Sequence, residues 1–239
     1  MTESDVLTSE VKALFKTTTT ATLCTQLFKR GLRNQFIQGV GLVTPKAGMM
    51  IGEAFTLRNI PAREDLDGPG KFDGRSHPQR RAIEECPAGA VLAIDCRKDQ
   101  RSGALGDILV TRLAGRGVAG VVTDGGMRDI VPMADFTIPV YAACASPPAS
   151  FHVHHAVDLQ VPIACGDVAI FPGDILVGDQ EGVTVVPRHL AAEVAADAAE
   201  QERLEHWVLK EVEKGQEIFG LYPPDDDNRK RYEAERSKG

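Results

Sequence analysis

Hydrophobic positions along the 239-residue chain change their spacing several times, and each change marks an expected element of secondary structure. In the first thirty residues the apolar positions fall near helical spacing. This pattern predicts two helices, the second opened by threonine caps and closed by Gly31. Residues 49–60 are typical of a strand, and residues 61–78 form a polar loop rich in Gly and Pro. Loops of this length without regular structure are usually functional or disordered.

The middle of the chain alternates between helical and extended patterns. Helices are expected in HPQRRAIEECPAG and GALGDILVTRLAGRG, strands in AVLAIDC, VAGVVTDGG and TIPVYAAC, and a short helix or turn in MRDIVPMADF. This alternation favours βαβ units around a parallel sheet. Residues 157–187 are more typical of hairpins, because short β runs are separated there by Gly-Asp turns. Residues 190–214 carry an apolar stripe at helical spacing, which predicts a long helix.

Composition excludes several classes of protein. The net charge of −7 argues against broad binding to nucleic acid or to anionic membranes. No apolar run approaches the roughly 18 residues that a membrane span needs. The five cysteines are scattered without zinc spacing or a disulfide framework, and the acidic N-terminus is unlike a signal peptide. We therefore expect a reduced, cytoplasmic protein that binds neither nucleic acid nor membrane.

The candidate chemistry lies in GALGDIL and GVVTDGGMRD, on either side of one expected helix. The glycines before that helix leave unpaired amides at residues 103–107, where the helix dipole favours an anion. In a βαβ unit the start of the helix and the end of the next strand share one sheet edge, at which ligands bind. Asp107, Arg128 and Asp129 can therefore converge, although twenty residues separate the first two.

Each of these three side chains suits a definite task. Arg128 can hold a carboxylate or neutralise an oxyanion that develops on a carbonyl. Asp129 can ligate a hard cation such as Mg²⁺ or Mn²⁺, and Asp107 can accept a proton directly or through water. Together they suit a reaction that passes through an enolate, in which a metal bound to a 2-oxo acid withdraws charge from the breaking bond. A surface ion pair or a helix cap is the structural alternative for the adjacent Arg and Asp.

These motifs, with PGDILVGDQEGVTVVP and TATLCTQLFKRG, resemble the RraA-like family. That family includes class II 4-hydroxy-4-methyl-2-oxoglutarate/4-carboxy-4-hydroxy-2-oxoadipate aldolases and the regulator of ribonuclease activity A. The resemblance covers roughly residues 17–215. It implies a single α/β domain over residues 1–239, of the compact swivelling β/β/α type, with N-terminal helices and a long C-terminal helix. The charged tail 216–239 is expected to be mobile or packed on a neighbour. The resemblance also implies a homotrimer or homohexamer with sites between subunits.

By position, the resemblance implies that Asp129 is the protein ligand to Mg²⁺ or Mn²⁺. Arg128 would contact the keto oxygen of pyruvate or its enolate, and Asp107 would position or deprotonate a water. The backbone amides around residues 105–108 would hold the substrate carboxylate. The residues expected to bind substrate are the turn before the helix and the arginine: Gly103, Leu105, Gly106, Asp107, Ile108 and Arg128.

The expected function is a divalent-metal-dependent lyase that cleaves a C–C bond of a 4-hydroxy-2-oxo acid, releases pyruvate and also decarboxylates oxaloacetate. One alternative is a non-enzymatic, protein-binding regulator of ribonuclease activity. Another is a lyase or dehydratase for a 2-keto-3-deoxy sugar acid, for which the 61–78 insertion could reshape the distal pocket.

Three further features have more modest expected roles. Asp124, at the end of its strand, is interpreted as a support for the site. His152 and His154 alternate in FHVHH and suit packing, an interface or substrate contact better than zinc, because no acidic or Cys partner is spaced suitably. The basic cluster HPQRR at 77–81 either reaches a distal substrate carboxylate or is a solvated helix start.

Overall fold

The structure is a computed structural model of the chain and describes residues 6–71 and 74–237. These residues contain seven α-helices: α1 (Ser9–Phe15), α2 (Thr20–Lys29), α3 (Pro78–Glu85), α4 (Asp107–Gly115), α5 (Ile130–Met133), α6 (Ala191–Glu213) and α7 (Asp226–Arg236). They also contain twelve strands: β1 (Gly41–Leu42), β2 (Met50–Pro61), β3 (Val91–Asp95), β4 (Gly120–Thr123), β5 (Gly126–Met127), β6 (Val140–Ala142), β7 (Cys144–Ala145), β8 (His154–Leu159), β9 (Ile163–Cys165), β10 (Val168–Ile170), β11 (Ile175–Gly178) and β12 (Val183–Val186). Each helix and strand expected between residues 9 and 213 is found close to its expected place. No helix in the described ranges is both long enough and apolar enough to cross a bilayer.

Strand β2 is the centre of an eight-stranded mixed sheet. Residues 54–58 of β2 run parallel to β3, and the parallel pairing continues through β4 to β6. Residues 50–53 pair antiparallel with β11, which forms a hairpin with β12, and residues 57–61 pair antiparallel with β8. The parallel half of the sheet thus contains the expected βαβ alternation, and the other half contains the expected hairpins.

Helices and the β9–β10 hairpin cover the two faces of this sheet. All residues of β3 and β4 are buried, as is usual for strands covered on both sides. One core layer lies between the parallel strands and α3, α4 and α5, and a second lies beneath the β9–β10 hairpin around Tyr141. A third layer packs α1, α2 and α6 on β11 and β12. The loops at the carboxyl ends of β3 and β4 therefore start from a close-packed base.

The described part of the charged tail, up to residue 237, folds against its own chain and is not the mobile segment that was expected, whereas packing on a neighbour stays a prediction. Helix α7 packs on the end of α6, where Tyr232 lies against the buried Trp207 with ring centroids 5.9 Å apart. The indole N–H donates to Glu235 at 3.0 Å, and Arg231 pairs with Glu211. Ion pairs supply much of this contact, so the hydrophobic pattern of the tail contains little signal for it.

Candidate active site

The turn before α4 and the turn after β4 are joined by backbone hydrogen bonds. Gly103 and Gly126 form an isolated parallel bridge, and the Ala104 amide donates to the Gly126 carbonyl at 2.8 Å. The Arg128 amide donates to the Leu105 carbonyl at 2.9 Å. The two segments that the sequence singled out therefore meet at one sheet edge, as expected.

Two glycines allow the side chains of the second turn to cross the start of α4. A Cβ on Gly103 would overlap Arg128 Cγ and would lie 2.9 Å from the Arg128 amide nitrogen. A Cβ on Gly106 would lie 2.6 Å from Oδ2 of Asp129, closer than real Cβ contacts. Because neither glycine has a Cβ, the aliphatic part of the Arg128 side chain and the Asp129 carboxylate can lie against the N-terminus of α4.

Asp129 adopts a backbone conformation that few non-glycine residues use. Its φ of 55° and ψ of 38° are left-handed, which costs roughly 1–2 kcal/mol for an ordinary L-residue and less for Asp. Asp129 is the N-cap residue of α5, yet its side chain makes no capping hydrogen bond. Its exposed carboxylate is thus not used to stabilise the helix, and residues held in strained conformations cluster at functional sites.

A small cavity of about 180 Å³ opens beside these turns. Of the expected site residues, Gly103, Leu105, Gly106 and Arg128 line it. The far wall is formed by residues distant in sequence: Gly68, Pro69, His77, Gln79, Arg80, Phe151 and His154. Burial of Arg128 Nε leaves this donor without a hydrogen-bond partner in the described part of the chain. A buried, unsatisfied donor is unusual in a native protein, and a bound ligand is one explanation for it.

The remaining expected site residues lie at the rim and do not line the cavity. Asp107 is half-buried, and its Oδ1 accepts the backbone N–H of Ile108 at 2.7 Å. The Ile108 amide, expected to hold a substrate carboxylate, is therefore already engaged. The Ile108 side chain is 79% exposed, and Val131 beyond Asp129 is 83% exposed. The rim of the site thus carries two uncovered apolar side chains.

Asp124, interpreted from the sequence as a support for the site, binds the loops that neighbour its strand. Its buried carboxylate accepts the backbone amides of Cys96 at 2.7 Å, Lys98 at 3.1 Å and Gly166 at 3.2 Å. Burial raises the pKa of Asp124, and these hydrogen bonds oppose that rise. The residue fastens the loop after β3 to the β9–β10 turn.

The histidines of FHVHH face different surroundings. His152 is exposed, with Nδ1 2.9 Å from the Ala149 carbonyl. His154 is 3% exposed and lines the cavity. Burial, and secondarily the nearby Arg97, lowers the pKa of His154 to about 4, so its imidazole is neutral at physiological pH. The Ser102 carbonyl is near enough to the ring to oppose this shift, but Nε2 makes no hydrogen bond of good geometry.

The sequence indicated the cluster HPQRR for its charges and gave no sign of a role for Gln79 within it. Its side-chain amide donates to the Ala104 carbonyl at 2.6 Å, which ties the start of α3 to the turn before α4. A single glutamine in a charged helix start gives no signal for such a contact, because the partner is 25 positions away. The residue identifies α3 as part of the frame of the site.

The side chains near the cavity suit an open site that holds a divalent cation weakly better than a closed site with several protein ligands. No group of three or more His, Cys, Asp or Glu side chains that could hold a metal occurs in residues 6–71 and 74–237. Asp129 offers one carboxylate, held in the gap that a Cβ on Gly106 would fill. Mg²⁺ usually keeps several waters and takes one or two carboxylates, so this arrangement fits it.

Comparison with known proteins identifies the family. Residues 20–185 match the family model described as RraA-like, Aldolase/RraA. This chain belongs to the RraA-like family. The structure of Streptomyces coelicolor RraAS2, described as an unusual member of the RNase ES inhibitor RraA protein family, is similar with a TM-score of 0.74 and 28% identity, over 84% of this chain and 96% of that chain. The expected α/β fold with N-terminal helices and a long C-terminal helix is confirmed.

Two further relatives extend the comparison. A Thermus thermophilus protein named 4-hydroxy-4-methyl-2-oxoglutarate aldolase is 32% identical over 108 residues, which are 45% of this chain and 65% of that protein. An uncharacterized Pseudomonas syringae pv. tomato DC3000 protein has a TM-score of 0.77 at 24% identity, over 90% of this chain and 98% of its own, and shows the fold alone. Since this RraA-like chain spans less than two thirds of the aldolase relative, that name enters only as support for a proposal.

Proposed function

We propose that this RraA-like protein is a divalent-metal-dependent lyase, which cleaves a C–C bond of a 4-hydroxy-2-oxo acid and releases pyruvate through an enolate. The observation that carries the proposal is the position of the adjacent Arg128 and Asp129. Their side chains lie across the start of α4, in space that a Cβ on Gly103 or Gly106 would occupy. A surface ion pair or a simple helix cap needs neither the two close approaches nor a left-handed aspartate.

Each residue has a distinct role in this reaction. The amides of residues 105–107, at the positive end of the α4 dipole, bind the substrate carboxylate, whereas the Ile108 amide stays with Asp107 Oδ1. The Arg128 guanidinium donates to the keto oxygen, where negative charge grows as the C–C bond breaks. Asp107, on the rim, positions or deprotonates a water. Asp129 would hold Mg²⁺ or Mn²⁺, which supplies Lewis-acid stabilisation of the enolate oxygen when bound.

Decarboxylation of oxaloacetate belongs to the same proposal, because loss of its distal carboxylate also leaves the enolate of pyruvate. We also propose that the protein assembles as a homotrimer or homohexamer in the cytoplasm, with its sites at subunit interfaces. The exposed Ile108 and Val131 support this, since a second subunit would cover apolar side chains on both sides of the site.

A regulator of ribonuclease activity is the second candidate, and similarity to RraAS2 favours it. A regulator that acts through its surface has no need for Asp107, Arg128 and Asp129 together. A lyase or dehydratase for a 2-keto-3-deoxy sugar acid is the third, because Gly68 and Pro69 of the insertion do reach the cavity.

The decisive experiment measures pyruvate release from a panel of 4-hydroxy-2-oxo acids, 2-keto-3-deoxy sugar acids and oxaloacetate. We expect turnover with Mg²⁺ or Mn²⁺ and reversible loss in excess EDTA without unfolding, because one carboxylate holds a metal weakly. Light scattering on the same sample should give a mass of at least three 25.8 kDa subunits. Full activity in EDTA would refute metal dependence, and no turnover on any substrate with either metal would leave the regulator as the better conclusion.

A further inference from the structure

A second cavity, of about 410 Å³, adjoins the one beside Arg128. Gly68, His77 and Phe151 line both cavities, so the two lie side by side along these residues. The first cavity, of about 180 Å³, is smaller than the roughly 300 Å³ at which pockets for drug-sized ligands begin. A substrate that is held by its 2-oxo acid end beside Arg128 therefore has room to continue into the second cavity.

The lining of the second cavity includes an imidazole with a fixed orientation, that of His155 on β8. Its Nδ1 lies 2.8 and 3.0 Å from the two carboxylate oxygens of Asp67. The Asp67 side chain is only 6% exposed and also accepts the Arg63 amide at 2.9 Å. Because a carboxylate accepts hydrogen bonds, Nδ1 carries a proton, and Nε2 is the ring nitrogen left for a ligand. Among the described residues, 6–71 and 74–237, no group forms a hydrogen bond with this nitrogen.

The insertion and β8 each contribute to both cavities. His154 and His155 are successive residues of a strand, whose side chains point in opposite directions, and they line the first and the second cavity respectively. In the insertion, Asp67 orients His155, and Gly68 follows with a φ of 147°, which L side chains rarely adopt. Gly68 and Pro69 then line the first cavity. The position of the His155 imidazole is thus tied to the segment that closes the substrate site.

The charged groups that line the second cavity are bound within the protein. The Asp67 carboxylate binds the His155 imidazole, and the Lys71 ammonium donates to the backbone carbonyls of residues 64 and 65 at 2.8 and 3.0 Å. Apolar side chains supply much of the remaining lining: Leu66, Pro78, Phe151, Ala156 and Val157. Such a lining suits an uncharged ligand with a polar group opposite His155 better than an ion of either sign.

We propose that the second cavity binds the far end of the substrate and that His155 Nε2 forms a hydrogen bond with a hydroxyl group beyond C4. The preferred substrate is then a polyhydroxylated 4-hydroxy-2-oxo acid, that is, a 2-keto-3-deoxy sugar acid. This inference rests on the proposed function, because it takes Arg128 and the start of α4 as the site of the 2-oxo acid end. A hydroxyl group both donates and accepts, so it can pair with Nε2 whether or not that nitrogen carries a proton.

The kinetic test compares two substrates that differ only in their hydroxyl groups beyond C4. Pyruvate release is measured on 4,5,6-trihydroxy-2-oxohexanoate, a 2-keto-3-deoxy sugar acid, and on 4-hydroxy-2-oxohexanoate. We expect the wild type to prefer the first. His155→Asn should lower the ratio of the two kcat/KM values by about tenfold, mainly through KM. The asparagine amide can still donate to Asp67 and hold the insertion, but it has no counterpart of Nε2.

Two further variants separate recognition of the substrate from support of the insertion. His155→Gln extends an amide toward the place of Nε2 and should restore part of the preference for the trihydroxy acid. His206→Asn is the matched control, because His206 is exposed on α6 and lines neither cavity. This control should keep the wild-type ratio of the two kcat/KM values.

A binding measurement separates recognition from catalysis. Calorimetry with Mg²⁺ uses 2,4,5,6-tetrahydroxyhexanoate and 2,4-dihydroxyhexanoate, which lack the keto group and are not cleaved. The wild type should bind the first more tightly, and His155→Asn should remove the difference.

The outcomes distinguish this inference from the proposed function. Lyase activity with equal preference for both substrates, or a preference that His155→Asn leaves intact, overturns the role of His155 while the proposed function stands. Preferential binding of the tetrahydroxy acid by a protein that releases no pyruvate refutes the proposed function and supports the hydroxyl site at His155. If the wild type neither releases pyruvate nor binds either probe, both fail.

Discussion

Replacing Gly106 by Ala tests whether the position of the Asp129 carboxylate matters for function. The new Cβ would lie 2.6 Å from Asp129 Oδ2, whereas ordinary van der Waals contact begins near 3.4 Å, so Oδ2 must retreat by about 0.8 Å (3.4 − 2.6). The Arg128 Cβ, at 3.7 Å, can stay in place. Displacements of about 1 Å in a catalytic site can cost a hundredfold in rate, or about 2.7 kcal/mol of activation free energy.

The cost in folding should be small by comparison. Gly106 has an extended backbone with φ of −126°, which alanine adopts freely, and the exposed carboxylate can move into solvent. Loss of a glycine N-cap adds about 1 kcal/mol at most. We expect kcat/KM for pyruvate release to fall by about a hundredfold, with weaker activation by Mg²⁺ and a melting temperature within a few degrees of the wild type.

Gly115→Ala is the control for this variant. Gly115 ends the same helix, and a Cβ there would meet nothing within 4 Å. This substitution should leave activity intact and should not destabilise the helix. If Gly106→Ala kept wild-type turnover and Mg²⁺ dependence, the reasoning that ties Asp129 to the metal through this close approach would be refuted.

Two other predictions follow from the site. Arg128→Lys should fold normally and still bind pyruvate, but its kcat should fall by about a hundredfold. Arg112→Lys is the control and should keep the wild-type kcat, because Arg112 forms an exposed ion pair with Glu84. Equal turnover of both variants in a steady-state assay would show that Arg128 takes no part in the reaction. Burial lowers the pKa of His154 to about 4 in the folded protein, below the ordinary 6.5 of an unfolded chain. As the pH falls from about 6.5 toward 4, the unfolded chain therefore takes up a proton that the folded protein does not, and the free energy of unfolding decreases. Urea unfolding should show that the free energy of unfolding falls from pH 7 to pH 5 by up to about 2 kcal/mol more in the wild type than in His154→Phe. An equal decrease in the two proteins would contradict a buried, neutral imidazole.

The sequence alone determined the order of the elements and one half of the site. Periodicity reports which face of a helix or strand is buried, and turn residues report where each ends, so the elements from residue 9 to 213 were predictable. The convergence of residues 103–107 with Arg128 and Asp129 was predictable for a similar reason, because the βαβ rule turns sequence order into a shared sheet edge. Here a local pattern and a general rule of topology were sufficient.

The other half of the cavity was decided by tertiary structure. Gln79, Arg80 and His154 are brought together by the packing of α3 and β8 beside β2, and no periodicity encodes which distant surfaces meet. The sequence offered HPQRR and FHVHH as candidates, but Arg80 could not be separated from Arg81, nor His154 from His152. Only the rotation of α3 against its neighbours separates the first pair, and only the burial of the start of β8 separates the second.

The tetrapeptide DILV, which occurs twice in the chain, also separates what the sequence determines from what tertiary structure decides. At 107–110 it opens α4, where Gly106 precedes it with an extended backbone and helical periodicity follows it. At 174–177 it leads into β11, which pairs with β2 on one side and β12 on the other. Flanking residues in the sequence were enough to assign one helix and one strand. Long-range contacts decided which strands pair with β11 and which side chains lie near Asp107. The two copies of DILV have the same local preferences, and local preferences cannot choose between distant partners.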